Sequence, residues 1–186
     1  MADNTKEVIP KIIMINGEIT WEMVSLLVER IYIAAYGKEQ AKHFIIPILS
    51  PGGDIDAAWS LYTVLKNLNA QVATVAAGRV YSSAVIPYLA GNKRYAFPES
   101  VFLFHPATIT HTSNEEVPLY RYHEEIQGEK FDRLTFKRIL SSIKGTKKEV
   151  VNMLVHDSKS SFISSTKAKN YKIVTDIINR LEKITF

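Results

Sequence analysis

Short apolar runs recur along the chain, and between them the apolar residues are spaced three or four positions apart. The runs KIIMI at 11–15, HFIIPILS at 43–50 and QVATVAAG at 71–78 predict buried strands. Pro47 is unusual inside a central strand, because proline has no N–H to donate to a neighbouring strand. KRYAFP and SVFLFHPATIT predict further strands, and SSFIS and YKIVTDII close the pattern.

Helical spacing fills the gaps between these strands. Thr20 is a favourable N-cap for a helix that Gly37 ends, and Asp54 or Asp56 begins the next helix. The remaining helices are predicted at 82–91, at 115–143 (long and amphipathic) and at 146–156. Strands that alternate with helices predict a layered α/β domain with a parallel sheet and right-handed connections.

Composition narrows the class of protein. With 186 residues, 46% of them hydrophobic, the chain can bury the core of one domain. The chain has no cysteine, which excludes disulfides, zinc–thiolate sites and a cysteine nucleophile. No apolar run approaches the roughly 20 residues of a membrane span, and the N-terminus does not resemble a secretory signal. The net charge of +4 is spread over scattered lysines. We therefore expect a soluble, cytoplasmic protein that binds neither nucleic acid nor membrane.

The turn LSPGGD, residues 49–54, places two glycines between a predicted strand and a predicted helix. Glycines allow the chain to turn sharply and leave backbone N–H groups exposed. Such a turn is either an ordinary connection or part of an oxyanion hole, in which an N–H stabilises the charge developing on a carbonyl oxygen.

Ser82 and Ser83 stand at a second strand-to-helix junction. A serine in this position is commonly an N-cap residue. Alternatively, Ser82 is a nucleophile on a sharp turn, and the N–H of Ser83 is an oxyanion donor. Pro87 lacks the N–H that would bond to the Ser83 carbonyl, which predicts a local distortion of this helix.

His105 ends a nearly continuous apolar strand, SVFLFH, and is either a structural residue or the general base for a nearby nucleophile. Surface positions adequately explain the other histidines: His43, His111, His123 and His156.

Four stretches of the chain occur in the order, and with nearly the spacing, of one protein family. They are the Ser-Pro-Gly-Gly turn at 50–53, Gly-x-x-x-Ser at 78–82, Ala-Gly…Lys-Arg-Tyr-Ala-x-Pro at 90–98 and the strand that ends in His105. On these motifs, residues 11–180 resemble the Clp protease proteolytic subunit family of serine peptidases. The resemblance implies one domain over 1–186, with an α/β, crotonase-like β-α-β superhelix and a protruding helix–strand handle near 107–143.

The resemblance also implies roles for individual residues. Ser82 matches the nucleophile and His105 the general base, while Gly53 and Ser83 match the residues whose N–H groups form the oxyanion hole. No cofactor or metal is implied. The family assembles into rings around a proteolytic chamber, so we expect a homo-oligomer that cleaves short or unfolded peptides. An ATP-dependent unfoldase or a related Clp subunit is the expected partner.

The acidic member of the triad has two candidates. Counting back from SFIS places Ser160 at the position of the family's catalytic aspartate, whereas counting forward from Gly145 leads to within one residue of Asp157. We take Asp157 as the acid, because it is the only acidic residue between Val150 and Thr175.

Other departures concern assembly and function. Lys172 replaces a glycine of the family pattern, ATITHTSN replaces a glycine-rich strand, and the stretch before the first strand is short.

The leading interpretation is a serine endopeptidase. A second is a weakly active or inactive subunit that assembles with an active paralogue. A third is a crotonase-type enzyme that acts on acyl-CoA thioesters, with Glu99 near the site.

Overall fold

An eight-stranded sheet and six α-helices form the described part of the chain, residues 9–105, 118–156 and 160–186 of a computed structural model. The strands are β1 (Lys11–Ile12), β2 (Ile15–Asn16), β3 (His43–Ser50), β4 (Gln71–Tyr81), β5 (Lys93–Ala96), β6 (Val101–Phe104), β7 (Ser161–Ser164) and β8 (Asp176–Ile177). The helices are α1 (Trp21–Tyr36), α2 (Ile55–Asn67), α3 (Val85–Leu89), α4 (Leu119–Ser142), α5 (Lys148–His156) and α6 (Ser165–Asn170).

The sheet is mostly parallel and forks at β4. Its main order is β1-β3-β4-β5-β8, and β2 also pairs with β3. The first part of β4 (73–76) pairs with β5, whereas its end (79–81) pairs with β6. β7 is antiparallel to β6. The predicted α/β class and parallel architecture are confirmed.

Pro47 lies inside β3 and pairs with Val75 of β4. On the other side of β3, the predicted strand over 11–15 is broken into β1 and β2, whose pairs with β3 stop at Ile12 and resume at Ile15. The gap faces Pro47, which has no N–H to donate there. The missing donor therefore explains why the first predicted strand is interrupted.

The helix starts follow the predicted caps. The Thr20 hydroxyl accepts a hydrogen bond from the Met23 N–H at 3.2 Å, and the Asp54 carboxylate accepts one from the Ala57 N–H at 2.8 Å. Gly37 ends α1. The capping predictions for α1 and α2 are confirmed, with Asp54 rather than Asp56 as the cap of α2.

The predicted helix over 82–91 is distorted at its start. Ser82–Ala84 forms a 3-10 turn, in which the Val85 N–H bonds to the Ser82 carbonyl, and α3 follows. Since Pro87 cannot donate to the Ser83 carbonyl, a regular α-helical first turn would lack that bond. The local distortion is confirmed.

Both faces of the sheet are covered. Phe44, Ile46 and Ile48 of β3 join the main core with α1, α2 and α3, while Ile45, from the alternate position, joins a smaller cluster with Val75 and other residues. Strands buried on both faces need not alternate with polar residues. This explains the continuous apolar runs in the sequence.

The helix α4 starts at Leu119, after Pro118, and the part of the predicted helix over 115–117 lies outside the described residues. The prediction that this helix is amphipathic is wrong. Leu140, near its end, is fully buried, but large apolar side chains along the rest of α4 are exposed: Tyr120, Tyr122, Ile126, Phe131 and Leu134. Within the described residues, no helix is long and apolar enough to cross a membrane.

Candidate active site

Three strands end at the same edge of the sheet and bring three sequence motifs together. Ser50, the last residue of β3, pairs with Val80, and Tyr81, the last residue of β4, pairs with Leu103 of β6. Because these strands are parallel, the segments that follow them emerge side by side. The glycine turn, Ser82 and His105 therefore share one edge.

The glycine turn is fixed by its own backbone and by the buried Ser50. The Ser50 hydroxyl accepts a hydrogen bond from the Gly52 N–H at 3.1 Å. The Ile19 N–H donates to the Gly52 carbonyl at 2.8 Å, and the Asp54 N–H donates to the Ile19 carbonyl at 2.9 Å. Within the described part of the chain the Gly53 N–H donates no hydrogen bond, so it remains available to a ligand.

Both glycines of the turn are required by their backbone and their surroundings. Gly52 and Gly53 have φ of 98° and 145°, which side chains disfavour. A Cβ on Gly52 would lie 2.7 Å from the Cβ of Ser82, and one on Gly53 would lie 2.3 Å from the carbonyl oxygen of Ile19. The bare backbone of Gly52 therefore allows the turn to pack directly against Ser82.

Ser82 has a strained backbone conformation. Its φ is 54°, in the left-handed region that few residues other than glycine adopt. Its side chain is partly exposed, and its hydroxyl makes no hydrogen bond within the described residues. Strain of this kind is often found at functional sites, where it presents a side chain in a fixed direction.

Ser83 has a different role from its neighbour. It is buried, and its hydroxyl donates a hydrogen bond of 3.0 Å to the carbonyl of Gly53. This bond ties the helix start to the glycine turn and brings together the two residues whose N–H groups are the candidate oxyanion donors. The side chain of Ser83 is thus structural.

His105 directly follows β6 and is half-buried. The parallel register between β4 and β6 reaches Tyr81 and Leu103, so the residues that follow, Ser82 and Phe104, continue along the same edge. His105 comes next. The structure therefore brings the candidate base to the edge that carries the candidate nucleophile.

Of the two candidates for the acid, Ser160 lies in the described part of the chain. Phe104 pairs with Ser161 in the antiparallel ladder between β6 and β7. Just beyond that last pair of the ladder, His105 follows β6 and Ser160 precedes β7. Asp157 lies outside the described residues.

Some features of this edge were not anticipated from the sequence. Ser50 fixes the glycine turn. In the sequence, this role is indicated only by the position of Ser50 at the end of a buried strand. Tyr81 and Phe162 form an edge-to-face ring pair, with centroids 5.8 Å apart, next to Ser82. This pair joins β4 to β7 across β6, so it could be recognised only once the strand order was known.

Glu99 does not lie where the acyl-CoA interpretation needs it. It is exposed in the turn before β6, at the opposite end of this strand from His105. Among the described residues, no group of three or more histidine, aspartate or glutamate side chains could hold a metal ion.

Comparison with known proteins identifies the family. A model described as Clp protease matches residues 4–181. ATP-dependent Clp protease proteolytic subunits are similar in sequence: one from Cyanophora paradoxa is 30% identical over 144 residues (75% of this chain, 70% of the relative). One from Ligilactobacillus salivarius is 25% identical over 177 residues (94% and 86%).

Solved structures agree with this result on the fold. A single-residue mutant of ClpP1 from Listeria monocytogenes superposes with a TM-score of 0.75 at 22% sequence identity, covering 92% of this chain and 93% of that one. The resemblance stated from the motifs and the ClpP-like, crotonase-like fold are confirmed. The chain belongs to the Clp protease family, and at that level it is a peptidase subunit.

Proposed function

We propose that this protein is a serine endopeptidase that cleaves short or unfolded peptides through an acyl-enzyme on Ser82. The observation that carries the proposal is the left-handed backbone of Ser82, with φ of 54°, at the edge where β3, β4 and β6 end. Membership of the Clp protease family supports the reaction class.

The proposed reaction has two halves. The Ser82 hydroxyl attacks the peptide carbonyl while His105 accepts its proton, and the N–H groups of Gly53 and Ser83 stabilise the oxyanion. The C–N bond then breaks, and the leaving amine takes the proton from His105. Water then attacks the resulting ester and gives a proton to His105. The ester C–O bond breaks, His105 returns that proton to the Ser82 oxygen, and the carboxylic acid leaves.

The direct test is labelling of the intact protein with a fluorophosphonate probe, followed by mass analysis and peptide mapping. We expect a single adduct on Ser82 and none in the Ser82→Ala variant. No adduct in folded, assembled protein would overturn the proposal of an active serine peptidase. An adduct on Ser83 instead would reverse the roles of the two serines.

We assign the orienting acid to Asp157, with Ser160 as the competing residue. A carboxylate fixes the tautomer of the imidazole and stabilises the imidazolium, and losing it costs about 10⁴-fold in kcat. Hydrolysis of a fluorogenic peptide should therefore fall by about that factor in Asp157→Ala. It should change little in Ser160→Ala. The reverse pattern would assign the position to Ser160.

The support for a second function is that Ser160 directly precedes β7 where its partner β6 ends, one residue before His105. If this neutral residue takes the place of the acid beside His105, the imidazolium lacks a counter-charge and the chain is a weak or inactive subunit that assists an active paralogue. In that case Ser160→Asp should raise peptide hydrolysis by the isolated protein. Robust hydrolysis by the unmodified chain, abolished by Ser82→Ala, would exclude this alternative.

We further propose that the subunits form a homo-oligomeric ring, with an ATP-dependent unfoldase or a Clp paralogue as partner. The support is the exposure of large apolar side chains on two helices. Phe131 and Leu134 of α4 are 70% and 63% exposed, and Ile33 and Tyr36 of α1 are 62% and 57% exposed. Apolar surface on this scale is typical of faces that contact another chain.

A further inference from the structure

A cavity of about 400 Å³ lies away from the candidate active site. It is bounded by α2, the start of β5, the end of α4 and the segment that follows α6. Arg94 in its wall is in register with Thr74, near the start of β4, so Ser82 lies eight residues, or roughly 26 Å, further along an extended strand. The lining residues are Tyr62, Lys66, Leu89, Arg94, Ile139, Ser142, Ile143, Lys144, Lys169, Lys172, Val174 and Thr175.

The lining of this cavity is strongly basic. It contains four lysines and one arginine, and no carboxylate. Lys169 contacts the carboxylate of Asp176. For Lys66, Lys144 and Lys172, no carboxylate among the described residues lies within ion-pair distance. These three exposed lysines thus border one volume, and no carboxylate of the described residues pairs with them.

Arg94 adds a partly buried positive charge to the wall. Its Nε donates to the Ile173 carbonyl at 2.8 Å, Nη1 to the Gly91 carbonyl at 3.2 Å and Nη2 to the Lys172 carbonyl at 3.4 Å. These acceptors are neutral, so they orient the guanidinium without balancing its charge. Burial lowers the pKa of Arg94, which is consistent with an uncompensated cation. A bound anion would supply the missing counter-charge.

Lys172 is held at the rim by its backbone and by a neighbour. Its φ is 66°, a left-handed conformation that a glycine would adopt at lower cost. A Cβ on Gly145 would lie 3.4 Å from the Cγ of Lys172, which shows that the lysine stem packs over this glycine. The backbone of Lys172 and the packing of its stem therefore fix this lysine at the rim of the cavity.

We propose that this cavity is a binding site for a compact polyphosphate group. Several lysines around a fixed guanidinium supply the positive charge and the N–H donors that bind linked phosphates. The volume is within the range of small-molecule sites. Two sources carry this chemistry: free pyrophosphate, and the phosphate chain of a nucleoside diphosphate, whose nucleoside would lie on the apolar side chains of Leu89, Ile139 and Val174. The proposal is independent of the peptidase chemistry at Ser82.

Calorimetric titration of the full-length, assembled protein tests the site, with pyrophosphate, ADP and adenosine as probes at fixed ionic strength. We expect saturable binding of pyrophosphate and ADP, with one site per chain. Tighter binding of ADP would identify a nucleotide, and equal affinities would identify the phosphates alone as the ligand. Adenosine binding as tightly as ADP, or no saturable binding of either phosphate compound, would overturn the proposal.

Two sets of variants locate the site. The triple substitution Lys66→Gln, Lys144→Gln and Lys172→Gln should weaken binding by more than about tenfold, because each lysine contributes a charge-assisted contact. The matched control replaces three exposed lysines elsewhere, Lys38, Lys42 and Lys183, by glutamine. It should leave the affinity within about twofold of the unmodified protein.

Asp176→Asn should change the affinity for pyrophosphate in the opposite direction. It removes the carboxylate that contacts Lys169, and it should tighten pyrophosphate binding by releasing that ammonium group. Equal weakening in the two lysine triples, with circular dichroism showing that both are folded, would mean that the protein attracts anions only through its overall charge. That result would also overturn the proposal.

Discussion

At the scale of single residues, Gly52 shows how closely the site is packed. Alanine at this position would bring its Cβ to 2.7 Å from the Cβ of Ser82, at a φ of 98°. We expect Gly52→Ala to lower the free energy of unfolding by about 1–3 kcal/mol and to abolish fluorophosphonate labelling. Urea denaturation and intact-mass measurement check the two effects.

Gly17→Ala is the control for that substitution. Gly17 has a similar φ of 94°, but a Cβ there would meet nothing within 4 Å. This variant should therefore lose only about 1 kcal/mol from backbone strain and retain full labelling of Ser82. Equal labelling of the Gly52 and Gly17 variants would contradict the close packing between the turn and the nucleophile.

The substitution Ser83→Ala tests whether the two serines have different roles. Ser83→Ala removes the 3.0 Å hydrogen bond to the Gly53 carbonyl but keeps the backbone N–H. We expect about 1 kcal/mol less stability, as for a typical hydrogen bond, and labelling of Ser82 that is slower by less than about tenfold. If labelling instead disappeared as completely as in Ser82→Ala, the Ser83 hydroxyl would have a chemical role.

At the scale of elements, α4 carries a glycine that contributes no packing. Gly128 is exposed in the middle of the helix, and a Cβ there would meet nothing within 4 Å. Gly128→Ala should therefore raise the free energy of unfolding by about 0.5–1 kcal/mol, because alanine loses less backbone entropy in a helix.

Thermal and urea unfolding measure this change. Gly145→Ala is the opposite control, since φ at Gly145 is 89° and a side chain there should destabilise the protein. A loss of stability in Gly128→Ala would show that Gly128 contacts another chain.

The elements also show which parts of the fold can be predicted from sequence. Caps such as Thr20 and Asp54 depend on residues three positions away, so local patterns reveal them. The break opposite Pro47 depends on which strand lies beside β3, and the exposed face of α4 depends on what covers it. Neither is encoded locally, and for that reason the interrupted first strand and the exposed apolar helix were not predicted.

The same distinction applies to the site. Ser82 and His105 could be singled out because each ends an apolar strand and matches a family motif. Their common edge follows from the pairing of β4 with β6, which sequence spacing does not specify. The acid is the hardest residue to assign. Whether Ser160 or Asp157 takes its position depends on the length of the loop that precedes β7, and sequence spacing does not fix how that loop is folded.

At the scale of the whole molecule, α4 is the element on which the proposed assembly is most easily tested. Phe131 and Leu134 are exposed on one face of the helix, three residues apart. Phe131→Glu with Leu134→Glu should reduce the mass of the assembly, because charged side chains are costly to bury at an interface. The fold of each subunit should be unchanged.

Light scattering coupled to size-exclusion chromatography measures the mass. Gln127→Glu is the matched control, since it adds negative charge to an exposed polar position of the same helix. An unchanged mass in the double variant would show that this part of α4 does not hold subunits together.

The fork at β4 has a consequence for protein synthesis. If Ser82 and His105 form the reactive pair, they meet only after β6 has paired with the end of β4, and β6 also pairs with β7, more than fifty residues later in the chain. A chain still emerging from the ribosome carries its nucleophile long before the surrounding ladder is complete. The nascent polypeptide would thus have no hydrolytic activity until this part of the sheet had formed.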